Sequence, residues 1–477
     1  MTAREMLREL FATAPGKMGA VMLAVLLGIS VYVVVSFPLD FGETRWANPA
    51  EWADNPKAVP PAWTDLFSGS DRLRHQKLTV TEPSEAVQAR AGEVRTYVMP
   101  FEFDEDDPPT FASVSVAGVS YYARPPILTV SIARPDGTDV VLFRDVVRGP
   151  REGESPPIQR FNQEPLRISL TTEAPTATNV SEFFLDQYGA DIPAGVLRNS
   201  MERALVSVPD PSTPQGLRLL PGEYELRLRA TLTDRRDGID SVKFVLGGSV
   251  FGLMGTDNLG RDLAVGLAFG LPVALFIGVV ASVITTVIGT SLGVMSGYMG
   301  GKTDLVIQRF ADIVANVPLL PLLIFMVFVF GSNLFLIMLF LVAFSWPGLT
   351  ILIRSMVLQI RSGALIESAV AIGASKWRVM LRHVFPHTAP FVFAQMIFFA
   401  PAAILAEAAL SFLGLGDPSI PTWGQILQDG FQTGAVYVGF WWWVIPPGVL
   451  IIITAVTFML LSLGMEPVVN PRLRRVR

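Results

Sequence analysis

The stretch IESAVAIGASKWRVMLRHVFP, from Ile366 to Pro386, lies between two long apolar runs. It holds one Glu, one Lys, two Arg and one His in a chain that is 51% hydrophobic and only 17% charged. Soluble globular proteins carry about 25% charged residues. The composition therefore predicts a membrane protein in which this charged window forms a loop between spans.

Six membrane-spanning helices are expected, because a span needs roughly 20 mostly apolar residues. The runs that meet this length lie at about residues 18–38, 266–296, 313–331, 333–353, 388–413 and 441–464. The first run is too long for the apolar part of a signal peptide, and no A-x-A-like cleavage site follows it. It is therefore predicted to be a retained helix.

Basic residues in short flanking loops predict which side of the membrane each loop occupies. They cluster at the N-terminus and in the loops 297–312 and 354–387, and again at the C-terminus: Arg4, Arg8 and Lys17; Lys302 and Arg309; Arg354, Arg361, Lys376, Arg378 and Arg382; Arg472, Arg474, Arg475 and Arg477. The opposite loop, 414–440, has no Lys or Arg. Both termini are therefore expected in the cytoplasm, and the polar region 40–247 outside it.

The region 40–247 differs from the rest of the chain in charge and in pattern. It has 31 acidic and 22 basic residues, a net charge of −9, whereas the remaining residues sum to +4. Tyr224, Leu226, Leu228, Ala230 and Leu232 alternate with polar residues, the period of a half-buried strand.

A turn at Arg134-Pro-Asp-Gly137 predicts a hairpin between two apolar strands. Further strands are expected near 94–103, 112–119, 166–171 and 241–246, with a helical stretch at 180–206 that breaks around Pro193. We expect a β-sandwich inserted between the first two spans.

Several kinds of chemistry are excluded by the residues present. Cysteine is absent and there are three His, so we expect no metal site. The acidic run 104–109 lacks the ligand spacing and glycine of a calcium loop. The stretch SGYMGGKT, residues 296–303, approaches a phosphate-binding loop, but Ser296 replaces its first glycine and no strand precedes it. ATP is therefore not expected to bind this chain.

The window 366–386 has the charge distribution of a helix. Glu367 comes early, whereas Lys376, Arg378, Arg382 and His383 come late, which suits the helix dipole. Small residues lie between them, and they allow another protein to approach closely: Ala369, Ala371, Gly373, Ala374 and Ser375. Gly373 costs about 1 kcal/mol of helix propensity, which suggests a geometric role, and Pro386 is expected to end the segment.

Glu367-Ser368-Ala369, followed by Gly373 and Pro386, resembles the EAA loop of bacterial ABC-importer permeases. Ser368 replaces the usual alanine. The resemblance implies a short coupling helix that docks on a separate ATPase, with Ala374, Ser375, Lys376 and Arg378 in the docking segment.

Two other stretches are similar to the dipeptide, oligopeptide and nickel permeases, and to their C-type subunit in particular. They are GTDNLGRD, residues 255–262, and EAALSFLGLGDPSIPTWG, residues 407–424. In the first, we assign a structural role to Gly255, Thr256, Asp257, Gly260, Arg261 and Asp262. Thr256 and Asp257 are candidates to cap a helix there. The resemblance covers about 250–470 and the first span, whereas the large insert is a departure from the family.

The resemblance implies a polytopic six-helix permease in the inner membrane of a prokaryotic cell. Its parts would be 1–39 with the first span, the insert 40–247, the permease core 248–465 and the basic tail 466–477. The expected partners are a homologous permease subunit in a heterodimer, ABC ATPase subunits that bind ATP-Mg, an extracytoplasmic solute-binding protein and membrane lipid. No nucleic acid is expected, and the expected solute is a dipeptide or oligopeptide.

Glu407 is the one formal charge that falls well inside a confidently assigned span, and intramembrane charges are usually functional. Two roles are open: it could contact a substrate amine, or pair with a polar group between helices. Gln395 and Asn316 are further candidates for the translocation pathway. Gly289, Gly293 and Gly297, spaced by four, predict close helix packing.

Two other functions compete with transport. In the first, a membrane-anchored receptor would bind a ligand through the β-rich insert and signal through its spans. In the second, an autonomous channel would conduct without a partner. The chain shows no output domain for a receptor, and the coupling pattern would have no purpose in a channel.

Overall fold

The computed structural model describes residues 8–38, 40–69, 72–89, 92–104, 107–214 and 216–469. The chain divides into a helical unit, Met1–Pro49 with Leu263–Arg477, and a β-rich unit, Ala50–Asp262. Residues 248–262 thus belong to the β-rich unit, and residues 40–49 to the helical one. The arginines of the basic tail and Arg4 lie outside the described residues.

The first long helix, α1, runs from Ala14 to Ser36. Its start is capped by Thr13, whose Oγ1 accepts a hydrogen bond from the Gly16 backbone at 3.1 Å. A π-helical turn, Gly42–Trp46, follows it, and then single helical turns at Pro49–Trp52, Ala62–Thr64 and Asp65–Ser68.

The β-rich unit, called the insert below, contains two five-stranded antiparallel sheets. One has the order β1-β12-β4-β7 with β8 also paired to β4: β1 Gln76–Val80, β4 Ala112–Tyr121, β7 Ile158–Arg160, β8 Leu166–Ser169 and β12 Gly238–Leu246. The other has the order β2-β3-β11-β5-β6: β2 Glu85–Ala89, β3 Gly92–Phe103, β5 Ile127–Ala133, β6 Asp139–Val146 and β11 Gly222–Leu232. A separate short pair joins β9 Ser207–Pro209 to β10 Leu217–Leu219.

Both sheets contribute to one apolar core. Val114 and Phe244 enter it from the first sheet, and Tyr97, Val130 and Leu228 from the second. The alternation predicted for 224–232 is confirmed, because every second residue of β11 is buried. The predicted hairpin is also present: β5 pairs with β6 around a turn in which the Arg134 backbone donates to the Thr138 carbonyl at 2.9 Å.

The helical stretch expected at 180–206 is several shorter pieces. Helix α2 runs from Ala174 to Tyr188, and single turns follow at Ala194–Leu197, Arg198–Ser200 and Met201–Ala204. Gly189, with φ of +67°, ends α2, and the break runs from there to Pro193, so the break expected around Pro193 is confirmed.

The helical unit continues with long helices. They are α3 Leu263–Met299, α4 Gly301–Ala315, α5 Leu319–Phe330, α6 Leu334–Arg361, α7 Ala364–Ala371, α8 Lys376–Phe412, α9 Trp423–Gln432 and α10 Trp441–Gly464. Within α8, residues Met380–Val384 form a π-helical turn. Single turns lie at Ala435–Val438 and Glu466–Val469.

Five of the described helices are long and apolar enough to cross a membrane: α1, α3, α6, α8 and α10. The expected span at 313–331 is not one helix, because α4 and α5 meet at a bend of 76°. Pro318 lies in this bend with an extended ψ of 104° and lacks the N–H of a continuing helix. The number of spans is therefore five, or six if the bent pair counts as one.

Two regions expected as loops are largely helical. Residues 301–312 belong to α4, and 354–361 belong to α6, so the second loop begins after Arg361. Apolar content alone underestimated both helices because their ends carry charge.

Helices α3 and α6 pack closely through the predicted glycine row. A Cβ placed on Gly293 would lie 2.8 Å from the Thr350 carbonyl oxygen, and one on Gly297 would lie 2.9 Å from that of Arg354. The hydroxyl of Thr350 donates to the Gly289 carbonyl at 3.1 Å. The prediction of close packing at this row is confirmed.

Candidate functional site

The window 366–386 folds as two helices joined by a sharp turn, so the expectation of one helix is wrong. Helix α7 ends in a Schellman motif: the Ala374 N–H donates to the Ala369 carbonyl at 3.1 Å, and the Gly373 N–H to that of Val370 at 3.0 Å. Gly373 has φ of +81°, a left-handed conformation that residues with a Cβ rarely adopt. The geometric role of Gly373 is therefore to turn the chain.

The next helix begins at once. Ser375 is the N-cap of α8, and its Oγ accepts from the Arg378 N–H at 3.4 Å. Pro386 does not end the segment, because α8 runs on to Phe412. Proline is tolerated there because it lies beside the first position of the α-helical part, Phe385–Phe412, that follows the π-helical turn.

One face of this turn is fixed to the helices beneath it. Ile366 and Ala369 of α7 are buried together with Val379 and Met380 of α8. They join a core to which α3 contributes Val294 and α6 contributes Ile353 and Val357. The turn is thus packed directly against α3 and α6.

The other face of the turn is exposed and apolar. Four large side chains are more than half exposed: Leu365, Val370, Ile372 and Trp377. Ile372, beside Gly373, is 85% exposed. Glu367, Ser368, Lys376 and Arg378 are exposed among them. We call Leu365, Val370, Ile372 and Trp377 the exposed face; the sequence analysis missed it, although apolar residues in a charged loop were its visible signal.

A cavity of about 500 Å³ lies beside this face. Glu367 and Lys376 line it with Arg361, Tyr298 and Val370. The concave surface thus has both charge signs and an apolar wall.

The signature at 255–262 forms a tight loop within the insert. The Asp257 carboxylate accepts from the N–H groups of Leu259 at 2.9 Å and Arg261 at 2.8 Å, and it contacts the Arg261 guanidinium. Gly260 has φ of +82° and Gly255 has φ of +69°. Asp257 therefore closes its own loop instead of capping α3, which begins after Asp262.

This loop is tied to the residues that open the insert. Thr256 exchanges two hydrogen bonds with Val59: its N–H donates at 3.0 Å and its Oγ1 accepts at 3.2 Å. The Asn55 side chain donates to the Gly260 carbonyl at 2.9 Å. Thr256 and Asp257 are fully buried, and no part of this arrangement resembles a ligand site.

The three pathway candidates occupy different surroundings. Glu407 is buried, and the Ser411 hydroxyl donates to its Oε1 at 2.6 Å. Gln395, also on α8, is half-buried, and Asn316 is exposed at the end of α4, where its Nδ2 donates to the Asp312 carbonyl at 2.7 Å. Of the two roles left open for Glu407, this geometry favours pairing with a polar group inside the protein.

The structure points to other polar groups inside the helical unit. A cavity of about 270 Å³ is lined by the hydroxyl-bearing Ser282 and Thr285 of α3 and Ser345 of α6, with Phe399 and Ala403 of α8. The sequence analysis missed these residues because single hydroxyls are common in apolar helices. Their helical spacing on α3, 282 and 285, was the available signal.

The sequence profile of the family described as "Binding-protein-dependent transport system inner membrane component" matches residues 289–475. The chain is 33% identical over 222 residues to the oligopeptide transport system permease protein OppC of Bacillus subtilis, which covers 46% of this chain and 72% of that protein. The corresponding OppC of Escherichia coli is 34% identical over 219 residues, with the same two coverages.

The dipeptide transport system permease protein DppC of Bacillus subtilis is 34% identical over 177 residues. That alignment covers 37% of this chain and 55% of DppC, so the chain spans about half the length of this relative. More than half of the present chain lies outside each of the three alignments.

Proposed function

This chain belongs to the binding-protein-dependent transport permeases of the dipeptide and oligopeptide type, and from that premise we propose that it is one membrane subunit of an ATP-driven peptide importer. It would form half of the translocation pathway. A separate ATPase, which binds ATP-Mg, would supply the energy.

The observation that carries this proposal is the turn around Gly373. Its exposed face offers four large apolar side chains, and a contiguous exposed apolar patch of this kind marks an interaction site. Charged residues surround these side chains, as at the rim of a protein interface. This combination supports docking of the ATPase at Leu365, Val370, Ile372 and Trp377.

The buried side of the same turn supports the coupling. Ile366, Ala369, Val379 and Met380 lie in the core that α3 and α6 share. Closure of the ATPases on ATP would move the exposed face, and the packed core would carry that movement to both helices. Alternating exposure of the cavity lined by Ser282, Thr285 and Ser345 is the proposed result.

The remaining assignments follow from charge and family. We place both termini and the Gly373 turn in the cytoplasm because the basic residues cluster in those segments. The insert would then lie on the outer side of a prokaryotic inner membrane, where a solute-binding protein delivers peptide. A homologous permease would complete the pathway.

Purification of the tagged chain from its native membrane in mild detergent tests the proposal. We expect a nucleotide-binding ATPase and a second permease with an EAA-like loop to co-purify. Ile372→Glu should lose the ATPase but retain the second permease. The matched control is Val196→Glu, which alters an exposed apolar residue of the insert (58% exposed) and should retain both.

Peptide uptake by vesicles that contain the purified assembly supplies the functional measurement. ATP-dependent uptake of a labelled dipeptide or oligopeptide should fall to background in Ile372→Glu. A chain that purifies alone or with a signalling kinase would contradict the importer assignment. Retention of the ATPase by Ile372→Glu would refute the docking surface only.

A further inference from the structure

We propose that the insert contacts the membrane surface directly, through a small apolar tip that enters the headgroup region of the lipid. The apolar tip consists of Trp63, Leu66, Phe67 and Leu253. This contact is independent of the transport role, since it requires only that the chain spans a membrane.

The tip contains the most exposed apolar side chains described in the insert. Leu66 and Phe67 are each 82% exposed, and Leu253 is 64% exposed. Leu66 and Phe67 are neighbours in the single turn Asp65–Ser68, after which Gly69 reverses the chain with φ of +65°. Adjacent Leu and Phe side chains at this exposure are unfavourable in water.

The tip is held in shape by contacts within the insert. The Trp63 indole Nε1 donates to the Leu253 carbonyl at 2.8 Å, and the rings of Trp63 and Phe67 meet edge to face with centroids 6.3 Å apart. The Ala62 N–H donates to the Gly252 carbonyl at 3.0 Å. The two segments therefore present one fixed surface.

Charge is scarce around the tip. The stretch 247–256 has no charged residue, and 58–69 has one, Asp65. The Asp65 carboxylate lies 3.9 Å from the Arg72 guanidinium. The insert region is otherwise rich in charge, so two uncharged stretches that converge on exposed Trp, Leu and Phe are typical of a membrane-interface contact.

The chain also limits how far the tip can be from the lipid. Nine residues lie between Leu253 and Leu263, the first residue of α3, so the two positions are ten residue steps apart. Ten residues reach about 35 Å when fully extended, and the bridge between Thr256 and Asp262 shortens that path. A lipid contact is thus within reach of Leu253.

Lipid fits the tip better than a protein partner does. A stable protein interface buries about 800 Å² on each side and needs complementary shape. Four side chains on two short segments offer far less area. Insertion into a lipid interface needs no matching surface, only apolar side chains with an aromatic residue beside them.

The absence of cysteine from the chain allows a direct test with single-cysteine labels. The full chain carrying Phe67→Cys is labelled with a nitrobenzoxadiazole fluorophore and reconstituted in phosphatidylcholine nanodiscs without other proteins. Val196→Cys is the matched control in the same insert, because Val196 is also apolar and exposed. Quenching is measured with nitroxide-labelled lipid and with aqueous iodide.

We expect nitroxide lipid to quench the label at Phe67 at least twofold more than the label at Val196, and iodide to give the reverse order. Equal quenching at the two positions would overturn the proposal. Protection from iodide at Phe67 that arises only after a solute-binding protein is added would overturn it in favour of protein docking.

A second variant separates the effect of the fluorophore from that of the tip. In this variant the fluorophore is attached to Leu253→Cys. The same chain also carries Leu66→Asp and Phe67→Asp, which remove the two most exposed side chains of the tip. Because both substituted side chains are exposed, the insert should still fold, and lipid quenching at residue 253 should fall to the level at residue 196. Unchanged lipid quenching at residue 253 would show that the tip does not hold the contact.

Discussion

Asp304 of α4 and Arg354 of α6 form a two-pronged ion pair: Arg354 Nε lies 2.6 Å from Asp304 Oδ1, and Arg354 Nη2 lies 2.6 Å from Oδ2. Ser296 of α3 also donates to the Asp304 carboxylate. Three helices of the bundle therefore meet at one carboxylate, which holds α4 against α3 and α6.

Removal of either charge should loosen this junction. Asp304→Asn or Arg354→Gln should lower the free energy of unfolding by about 1–3 kcal/mol, since hydrogen bonds to charged groups contribute that much. Thermal unfolding of the purified chain in detergent measures the loss. The exchanged pair Asp304→Arg with Arg354→Asp should recover part of it; no recovery would show that the pair acts through packing alone.

At Gly373 we expect the left-handed backbone conformation to limit substitution, and the size of the new side chain to matter little. A Cβ placed there meets no atom within 4 Å, whereas φ of +81° costs a residue with a Cβ about 1–2 kcal/mol. We expect Gly373→Val and Gly373→Trp to reduce peptide uptake to a similar extent, and Gly373→Asn to reduce it less.

Gly301→Val is the control for Gly373, because Gly301 also has positive φ (+54°) and open space around it. It carries the same kind of strain outside the turn and should leave the ATPase bound. A graded effect of Val and Trp at residue 373 would indicate crowding by a partner instead of backbone strain.

Gly293 should resist even the smallest enlargement. In Gly293→Ala the new methyl would lie 2.7 Å from the Ile353 Cβ, so α3 and α6 must separate at a cost of about 1–3 kcal/mol. Gly28→Ala in α1 meets no atom within 4 Å and should be neutral or stabilising by up to about 1 kcal/mol. The melting temperatures of the two variants in detergent test this prediction. Equal melting temperatures would mean that α3 and α6 do not pack at Gly293 as described.

Glu407→Gln should retain peptide uptake within about twofold, because the amide oxygen can still accept from the Ser411 hydroxyl. Glu407→Leu removes that acceptor and leaves a buried hydroxyl unpaired, at a cost of about 1–3 kcal/mol. Uptake kinetics and thermal unfolding separate the two effects. If the carboxylate bound a substrate amine, Glu407→Gln would raise KM more than tenfold with stability unchanged.

The insert should lose stability in mild acid. Burial, assisted by the nearby Lys77, lowers the pKa of His75 from 6.5 to about 4. The unfolded chain therefore takes up this proton first, and the stability contributed by neutral His75 is lost as pH falls from about 6.5 to 4. Hydrogen exchange of β1 and β12 amides across this range measures the loss.

His75→Phe should make that pH dependence shallower, because the ring lies beside Phe251 with centroids 5.3 Å apart and has no proton to bind. The exposed His387 provides the control: His387→Phe should leave the pH dependence of β1 and β12 unchanged. An identical profile for wild type and His75→Phe would assign the acid sensitivity to carboxylates.

Periodic patterns in the sequence predicted much of this structure. The alternation at 224–232, the hairpin around Pro135 and the glycine row at 289–297 each depend on local spacing, and each was confirmed. The turn at Gly373 was not predicted. It depends on the hydrogen bonds that cap the end of α7, which hydropathy does not register.

The sequence predicted which residues form the candidate site, but not the backbone conformation that they adopt. Glu367, Gly373 and Ser375 were named from the sequence, whereas the division into a Schellman end and a serine cap became visible only in the backbone hydrogen bonds. For Asp257 the predicted role was wrong. The sequence suggested a helix cap, but the Asp257 carboxylate accepts hydrogen bonds from the Arg261 backbone and side chain.

The hydrogen bonds between Thr256 and Val59 bring together two parts of the insert that are far apart in the sequence. Within the insert, the chain returns at residue 257 to the place where it passed residue 58, and the Ala58 N–H donates to the Asp257 carbonyl at 2.7 Å. Because these two positions are adjacent, the intervening 198 residues form one cassette that is closed at its base by backbone hydrogen bonds. A short linker from residue 58 to residue 257 would replace the whole cassette and leave every residue of α1 and α3 in the chain.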